Sequence, residues 1–215
     1  MIIRPRVIDL SHWDDVKDRF AGTVQAGIKG VINKVTEGYG GHDVSFSWRY
    51  RPALDAGLLY GAYHFIRPGP VARQVDWFLR SVGDPTGLLL ALDHEDRNVP
   101  LSSAQLFCQL IHDKVGRWPK LYSGFLIKEQ INHANEAFWR QIPLWLSHYN
   151  INPSWPHIWA KPWLWQYTGD GAGPGPHGVP GITPSSQLDM NSYDGTDAQL
   201  KLEWTGESST APLVG

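Results

Sequence analysis

The chain has 215 residues, of which 42% are hydrophobic, and its formal net charge is −2. A chain of this length can bury one sizeable core, and its small negative charge argues against a nucleic-acid partner held by phosphate contacts. Cys108 is the only cysteine, which excludes an intrachain disulfide. The N-terminal stretch "MIIRPRVIDL" lacks the apolar segment of a signal peptide, and no apolar run reaches the ~18 residues that cross a membrane. We therefore expect a chain made in the cytoplasm without a signal peptide and without membrane contact.

Strand-like and helix-like segments alternate along the first two thirds of the chain. The predicted strands are 6–11, 30–36, 58–66, 87–95 and 119–124. The predicted helices are 16–26, 46–56, 71–82, 103–115 and 125–139. This alternation predicts βαβ units and a parallel sheet. After residue 140 the links become too short or too rich in Gly and Pro for helices, and three more strands are predicted at 142–150, 161–168 and 187–195.

Eight strands with about five helices predict the α/β fold class, as an irregular (β/α)5β3 barrel of the TIM-like type. A doubly wound open sheet is the alternative, but no G-x-G-x-x-G motif follows the first strand. The glycine-rich stretch 169–181 is predicted to be a loop, because strand-like sequence resumes after it. We expect one barrel domain over residues 1–206 and a flexible C-terminal tail over 207–215.

The stretch "GLLLALDHEDRN" (87–98) joins a buried strand to a cluster of acids. Asp93 and Glu95 are two residues apart, so on a strand their side chains point to the same side. Two carboxyl groups aimed the same way repel each other, which should raise at least one pKa. His94 lies between them and should face away from the pocket as a buried, hydrogen-bonded histidine. Asp93 and Glu95 are therefore candidate catalytic residues.

Other predicted strands also bring acids to the same place. In barrels of this type the active site lies at the carboxyl ends of the strands, and we expect Asp9 and Asp189 to join Asp93 and Glu95 there. Further polar and aromatic residues at predicted strand ends are Lys34, Glu37, Tyr63, Phe65 and Tyr122. An acidic pocket ringed by aromatic side chains favours glycoside hydrolysis. No H-E-x-x-H or other recognised ligand spacing occurs among the nine histidines, so we expect neither a metal nor a cofactor.

The strand-end motifs resemble those of glycoside hydrolase family 25. They are, in chain order, "VIDLSHW", "KVTEG", "YGAYHF", "LDHED", "LYSG", "PLWLSHY", "LWQYT", "VPGI" and "LDMNSYDG". The resemblance implies a lysozyme with a barrel of eight strands and five helices, which cleaves the β-1,4 bond after N-acetylmuramic acid in peptidoglycan. It also implies that Glu95 is the general acid, that Asp93 is its partner, and that Asp9 and Asp189 flank the sugar. The residues implied to contact substrate include Tyr63, Tyr122, Trp145, Tyr149, Trp165 and Gln166.

Two mechanisms and two other functions are compatible with these residues. Either the substrate's N-acetyl group attacks its own anomeric carbon beside Asp93, with retention, or Asp9 or Asp189 activates a water, with inversion. We favour the first, because Asp93 and Glu95 lie on one side of the sugar. A chitinase-like glycosidase and a catalytically silent glycan-binding protein are the alternatives.

The resemblance also sets the expected partners and location. We expect a monomer that acts on peptidoglycan glycan strands in the cell wall after release or export, as for a phage- or prophage-encoded lysin. Trp145 and Tyr122 are expected to contact glycan from strand ends, outside the packed barrel interior, so that their removal would leave the fold intact.

Overall fold

The structure is a computed structural model that describes residues 1–206. The strands are β1 Pro5–Leu10, β2 Asp15–Val16, β3 Gly30–Glu37, β4 Gly41–His42, β5 Leu59–Phe65, β6 Leu89–Asp93, β7 Lys120–Ser123, β8 Leu144–Ser147, β9 Leu164–Thr168, β10 Ile182–Thr183 and β11 Asp189–Ser192. The helices are α1 Ala21–Gln25, α2 Ser45–Asp55, α3 Val71–Val82, α4 Leu101–Val115, α5 Phe125–Gln130, α6 Glu136–Trp139 and α7 Asp197–Trp204.

Eight of the strands close into a barrel, which confirms the predicted TIM-like fold. They follow the order β1-β11-β9-β8-β7-β6-β5-β3, and β3 pairs with β1 to complete the circle. Seven strands are parallel, whereas β11 runs antiparallel to both β1 and β9. The start of β11 therefore lies at the same rim as the carboxyl ends of the other strands.

Successive side chains along each strand point alternately into and out of the barrel, which creates two separate apolar layers. Outward-facing residues such as Ile8, Leu90 and Leu121 pack under the helices. Inward-facing residues such as Leu89 and Ala91 fill the barrel interior. The interior line of β6 continues from Ala91 to Asp93, so the same alternation that builds the core turns a carboxyl group toward the barrel mouth.

The barrel floor is closed by α7, a helix that the hydrophobic pattern did not predict. Trp204 is buried on the inner apolar layer, and its indole N–H donates to the Tyr60 carbonyl at 2.8 Å. A Cβ atom on Gly30 would lie 2.6 Å from the Trp204 ring, and one on Gly61 would lie 3.3 Å from it. Glycine at these two positions therefore gives the Trp204 ring room at the floor.

Two predicted helices differ from those observed. The helix predicted at 16–26 is reduced to Ala21–Gln25, because Asp15–Val16 pairs with Ile182–Thr183 as a small sheet. Arg19 and Phe20 also adopt left-handed backbone angles (φ 55° and 71°), which a right-handed helix cannot include.

The helix predicted at 125–139 is divided into α5 and α6, since Ile131 is extended and ends α5. The described residues therefore contain seven helices where about five were expected. The flexible tail predicted at 207–215 lies outside the described residues. No helix within residues 1–206 is long and apolar enough to cross a bilayer.

Candidate active site

A cavity of about 220 Å³ opens at the carboxyl end of the barrel, and we call it the mouth cavity. Asp9, Asp93, Glu95 and Asp189 all line it, as the sequence predicted. Asp9 pairs directly with Asp189 across β1 and β11, while Asp93 ends β6. Asp189 is the first residue of its strand, and it reaches the mouth because β11 is antiparallel. The two acids of β1 and β11 therefore lie side by side at the mouth.

Asp9 is held by a buried network of hydrogen bonds. Asn191 donates to its carboxyl at 2.7 Å and Gln166 donates at 2.9 Å. The hydroxyls of Tyr122 and Tyr149 both donate to Gln166 Oε1 at 2.7 Å, which aims the Gln166 NH2 group at Asp9. Burial raises the pKa of Asp9 to about 7, although the Asn191 and Gln166 hydrogen bonds oppose this rise.

The carboxyl groups of Asp93 and Asp189 have fewer hydrogen-bond partners than that of Asp9. Each has one buried carboxyl oxygen, Oδ1, without a hydrogen-bond partner among residues 1–206. Burial, followed by the negative charge of Glu95, raises the pKa of Asp93 well above its usual range. Burial, followed by the charge of Asp9, raises the pKa of Asp189 to about 10. Burial therefore disfavours the charged form of both aspartates.

Glu95 differs from these three acids because it is exposed at the rim of the cavity. The side chain as a whole reaches solvent, but its carboxyl end lies among the cavity walls, and burial of that end raises its pKa; the negative charge of Asp170 adds to the rise. Repulsion between Asp93 and Glu95 is expected to raise at least one of their two pKa values. In the structure the charge of Glu95 raises the pKa of Asp93, and it also raises those of Asp9 and Asp189.

Most of the predicted substrate-contacting residues line the mouth cavity. They are Lys34, Tyr63, Phe65, Tyr122, Trp145 and Tyr149. Tyr122 and Trp145 are nevertheless buried in the inner apolar layer, with ring centroids 4.6 Å apart. The expectation that they lie outside the packed interior is therefore wrong, and their truncation should also destabilise the fold.

Three predicted contacts lie elsewhere. Glu37 faces a neighbouring groove, where its carboxyl pairs with Lys34 at 2.5 Å and Arg67 at 2.6 Å. Gln166 is buried and does not line the mouth cavity, although it positions Asp9. Trp165 is fully buried in the outer apolar layer, because the residues on either side of it face inward along β9.

Three lining residues were not predicted: Ser11, Trp13 and Asp170. Ser11 and Trp13 belong to "VIDLSHW" and follow Asp9 at the end of β1, so their position could have indicated them. Asp170 lies in the glycine-rich loop, where the sequence gives no comparable signal. A Cβ on the preceding Gly169 would lie 2.2 Å from the Asp189 carboxyl, so only glycine lets this loop approach the cavity.

The histidine between the two acids of "LDHED" is turned away from the cavity, as predicted. His94 is buried, and its Nε2 lies 2.8 Å from Gln130 Oε1. Within residues 1–206 no group of three or more His, Cys, Asp or Glu side chains is placed to hold a metal ion. The side chains that line the mouth cavity are mainly carboxyl groups and aromatic rings.

Comparisons with known proteins match the chain to a family and to relatives within it. Residues 8–176 match the family described as "Glycosyl hydrolases family 25". The chain is 26% identical over 211 residues to "Lysozyme M1" of Streptomyces globisporus, which covers 90% of this chain and 69% of the relative. It is 32% identical over 178 residues to the "N,O-diacetylmuramidase" of Chalaropsis sp, which covers 70% of this chain and 84% of the relative.

A solved structure shows the same architecture over nearly the whole chain. The muramidase of Acremonium alcalophilum superimposes with a TM-score of 0.77 at 26% identity, covering 95% of this chain and 100% of that one. A barrel whose mouth gathers carboxyl groups among aromatic rings matches the site of a glycoside hydrolase. The chain belongs to glycosyl hydrolases family 25. It is a lysozyme-class enzyme, and this class cleaves peptidoglycan.

Proposed function

We propose that the enzyme hydrolyses the β-1,4 bond between N-acetylmuramic acid and N-acetylglucosamine in bacterial peptidoglycan, with Glu95 as the general acid. The observation that carries this proposal is the contrast between exposed Glu95 and buried Asp9 and Asp93 within one cavity. A glycan strand enters from solvent, so the oxygen of its glycosidic bond (the bridging oxygen) comes into contact with the exposed Glu95 before the buried aspartates. The raised pKa of Glu95 keeps a proton available for that oxygen.

Asp93 is the proposed partner in a substrate-assisted reaction. Its unpartnered Oδ1 is free to accept the N–H of the substrate's N-acetyl group and so orient the acetyl carbonyl. The carbonyl oxygen then bonds to the anomeric carbon while the bridging oxygen leaves with the proton of Glu95. Water opens the resulting ring, and Glu95 takes back a proton from that water, which gives retention.

The hydrogen bonds of Asp9 support this version over direct activation of water by Asp9. Both of its carboxyl oxygens already accept from Gln166 or Asn191, so Asp9 is better placed to stabilise positive charge than to remove a proton. Asp189 sits beside it and completes the acidic wall. We propose that these two aspartates flank the cleaved sugar while the aromatic side chains of the cavity contact its ring.

The proposed partner is the glycan strand of the cell wall, where the enzyme acts after release or export. The relatives named "Lysozyme M1" and "N,O-diacetylmuramidase" support this partner. The test compares digestion of purified peptidoglycan with digestion of chitin oligomers. We expect new reducing ends at muramic acid from peptidoglycan and slower or no cleavage of chitin. Preferred cleavage of chitin would instead indicate a chitinase-like enzyme, and binding without new reducing ends would indicate a silent glycan-binding protein.

A further inference from the structure

A second cavity, of about 370 Å³, lies at the amino end of the barrel and is unrelated to the mouth cavity. We call it the floor pocket. Lys120 opens β7 and faces inward, on the same side of the strand as Tyr122, which lines the mouth cavity. The floor pocket is walled by Trp159, Trp163 and Tyr193, which lie around the inward-facing lysine. Nothing in the proposed hydrolysis uses these residues.

Lys120 is an unusual side chain for a barrel floor. The residue is only 4% exposed, and its ammonium group is not sealed off but faces the floor pocket. Within residues 1–206 no side chain or backbone group forms a hydrogen bond or ion pair with it. Its contact is with the Trp163 ring, whose centroid lies 4.6 Å from Nζ. Buried lysines are normally paired with an acceptor, because an ammonium carries three N–H donors and a full charge. The geometry therefore leaves a position beside Nζ for an acceptor that the described chain does not supply.

The two acids of the floor pocket are already engaged. Glu203 Oε2 accepts from the Tyr193 hydroxyl at 2.7 Å and from the Trp163 indole at 3.0 Å. Asp194 lies 3.5 Å from Lys161 Nζ. Both acids line the pocket, so a ligand with two negative charges would be repelled more strongly than one with a single charge. A single negative charge suits the one unpaired ammonium of Lys120.

We propose that the floor pocket binds a small ligand with one carboxylate, which pairs with Lys120 while the ligand's flat body rests against Trp163 and Tyr193. A carboxylate on a buried ammonium forms a charge-assisted hydrogen bond. The aromatic walls offer flat faces for a sugar ring or an aromatic ring. This binding is independent of Glu95 and of the proposed hydrolysis.

The charges around Lys120 predict how binding depends on pH. Burial lowers the pKa of Lys120 to about 8, and the positive charge of Arg117 acts in the same direction, whereas Glu203 opposes it. Lys120 is therefore charged below about pH 8 and loses its proton above it. Since only the ammonium attracts a carboxylate, affinity should be highest near pH 6.5 and should fall as the pH rises past 8.

The test measures binding of matched pairs of small molecules by calorimetry. Benzoate should bind at least about tenfold more tightly than benzamide, because the pair differs in the charged group. If the natural ligand is a sugar of the cell wall, N-acetylmuramic acid should likewise bind more tightly than N-acetylglucosamine, which lacks the carboxylate. If only benzoate binds, the ligand is a free small acid. Inorganic sulfate, which carries two negative charges at this pH, should bind more weakly than benzoate.

Lys120→Met removes the charge at similar length and should weaken benzoate binding by about tenfold or more. Lys201→Met makes the same change on an exposed part of α7 and should leave binding unaltered. Unchanged binding by Lys120→Met, or equal binding of benzoate and benzamide, would overturn the proposal. So would tighter binding of sulfate than of benzoate.

A second measurement uses the unmodified chain and remains decisive if Lys120→Met does not fold. Limited acylation followed by mass spectrometry reports how reactive each lysine is. Benzoate should protect Lys120 by about threefold or more, an effect of roughly 0.7 kcal/mol, whereas benzamide should not. Lys201 serves as the internal reference, because it is exposed in both conditions. Equal labelling of Lys120 with and without benzoate would refute a carboxylate at this position.

Discussion

The mouth and the floor of the barrel have opposite characters although the same strands build both. At the mouth, inward positions hold Asp9, Asp93 and Asn191, and several buried polar atoms lack partners or share one amide. At the floor, the Trp204 ring packs in the inner apolar layer against Gly30 and Gly61, where a larger residue would clash with it. The packing of Trp204 can therefore offset part of the cost of the crowded carboxyl groups at the mouth, although the floor also holds the unpaired ammonium of Lys120 beside its pocket.

The largest expected effect comes from the mouth. Glu95→Gln keeps the side-chain shape and removes the transferable proton, so turnover of peptidoglycan should fall by about 10²–10⁴-fold. Binding to the wall and the melting temperature should stay near those of the unmodified enzyme. The control is Glu129→Gln, an exposed acid paired with Arg97. Near-full activity of Glu95→Gln would transfer the acid role to another carboxyl group of the cavity.

The floor should show the opposite behaviour. Trp204→Ala removes a fully buried ring and should lower the free energy of unfolding by about 3–5 kcal/mol, measured by urea denaturation. Turnover per folded molecule should change little, because Trp204 does not line the mouth cavity. Trp13→Ala is the matched control, since Trp13 is 80% exposed at the mouth. It should leave stability unchanged within about 0.5 kcal/mol and weaken substrate binding. Equal stability losses in the two variants would contradict the division between floor and mouth.

A smaller effect is expected from relieving the crowded acids. The folded chain raises the pKa of Asp189 from 3.8 to about 10, so it binds this proton more tightly than the unfolded chain does. The associated stability is present at pH 4 and is lost progressively as the pH rises toward 10. Asp189→Asn removes this loss and should raise the melting temperature at pH 8 by ~2–4 °C, equivalent to about 1 kcal/mol.

Calorimetry at pH 4 and pH 8 checks this expectation, with no gain expected at pH 4. Asp113→Asn, an exposed acid on α4, should show no such dependence on pH. A lower melting temperature of Asp189→Asn at pH 8 would mean that the carboxyl group stabilises the mouth.

The smallest effect concerns the loop that carries Asp170. Its negative charge raises the pKa of Glu95, so Asp170→Asn should lower that pKa and move the alkaline limb of the pH–activity profile to lower pH. Asparagine tolerates the left-handed backbone at this position (φ 51°), so the loop should keep its shape. Asp194→Asn, at the floor, is the control and should leave the profile in place. If the alkaline limb of the Asp170→Asn profile did not shift, the charge of Asp170 would have no effect on the pKa of Glu95.

Most of the barrel and its four acids were predictable because each strand is a short apolar run with a clear end. The interior line Leu89, Ala91, Asp93 is visible in the sequence as soon as alternation is assumed. The same rule also placed His94 away from the cavity. Applied to "LWQYT", it would have turned Trp165 outward, and the family motif led to the wrong expectation there.

Other features depend on contacts that are distant in sequence. The 16–26 stretch has helical spacing, but Val16 pairs with Ile182 in a small sheet, so the first residues of the stretch are not helical. The antiparallel direction of β11 leaves no local pattern in the sequence. Asp170 reaches the mouth only because Gly169 allows a close approach to Asp189. Such arrangements are set by tertiary packing, which a single sequence does not display.

The direction of the final strand also determines where the two ends of the described chain emerge. Arg4 accepts a hydrogen bond from the Tyr193 amide at 3.2 Å, and Arg6 pairs with Asp197 at 3.3 Å, while Gly206 lines the floor pocket. Both ends therefore leave the molecule on the side opposite the mouth. A targeting module fused to either end would lie on the floor side of the barrel and would not cover the mouth cavity. The barrel is therefore a convenient unit for building modular wall-degrading proteins.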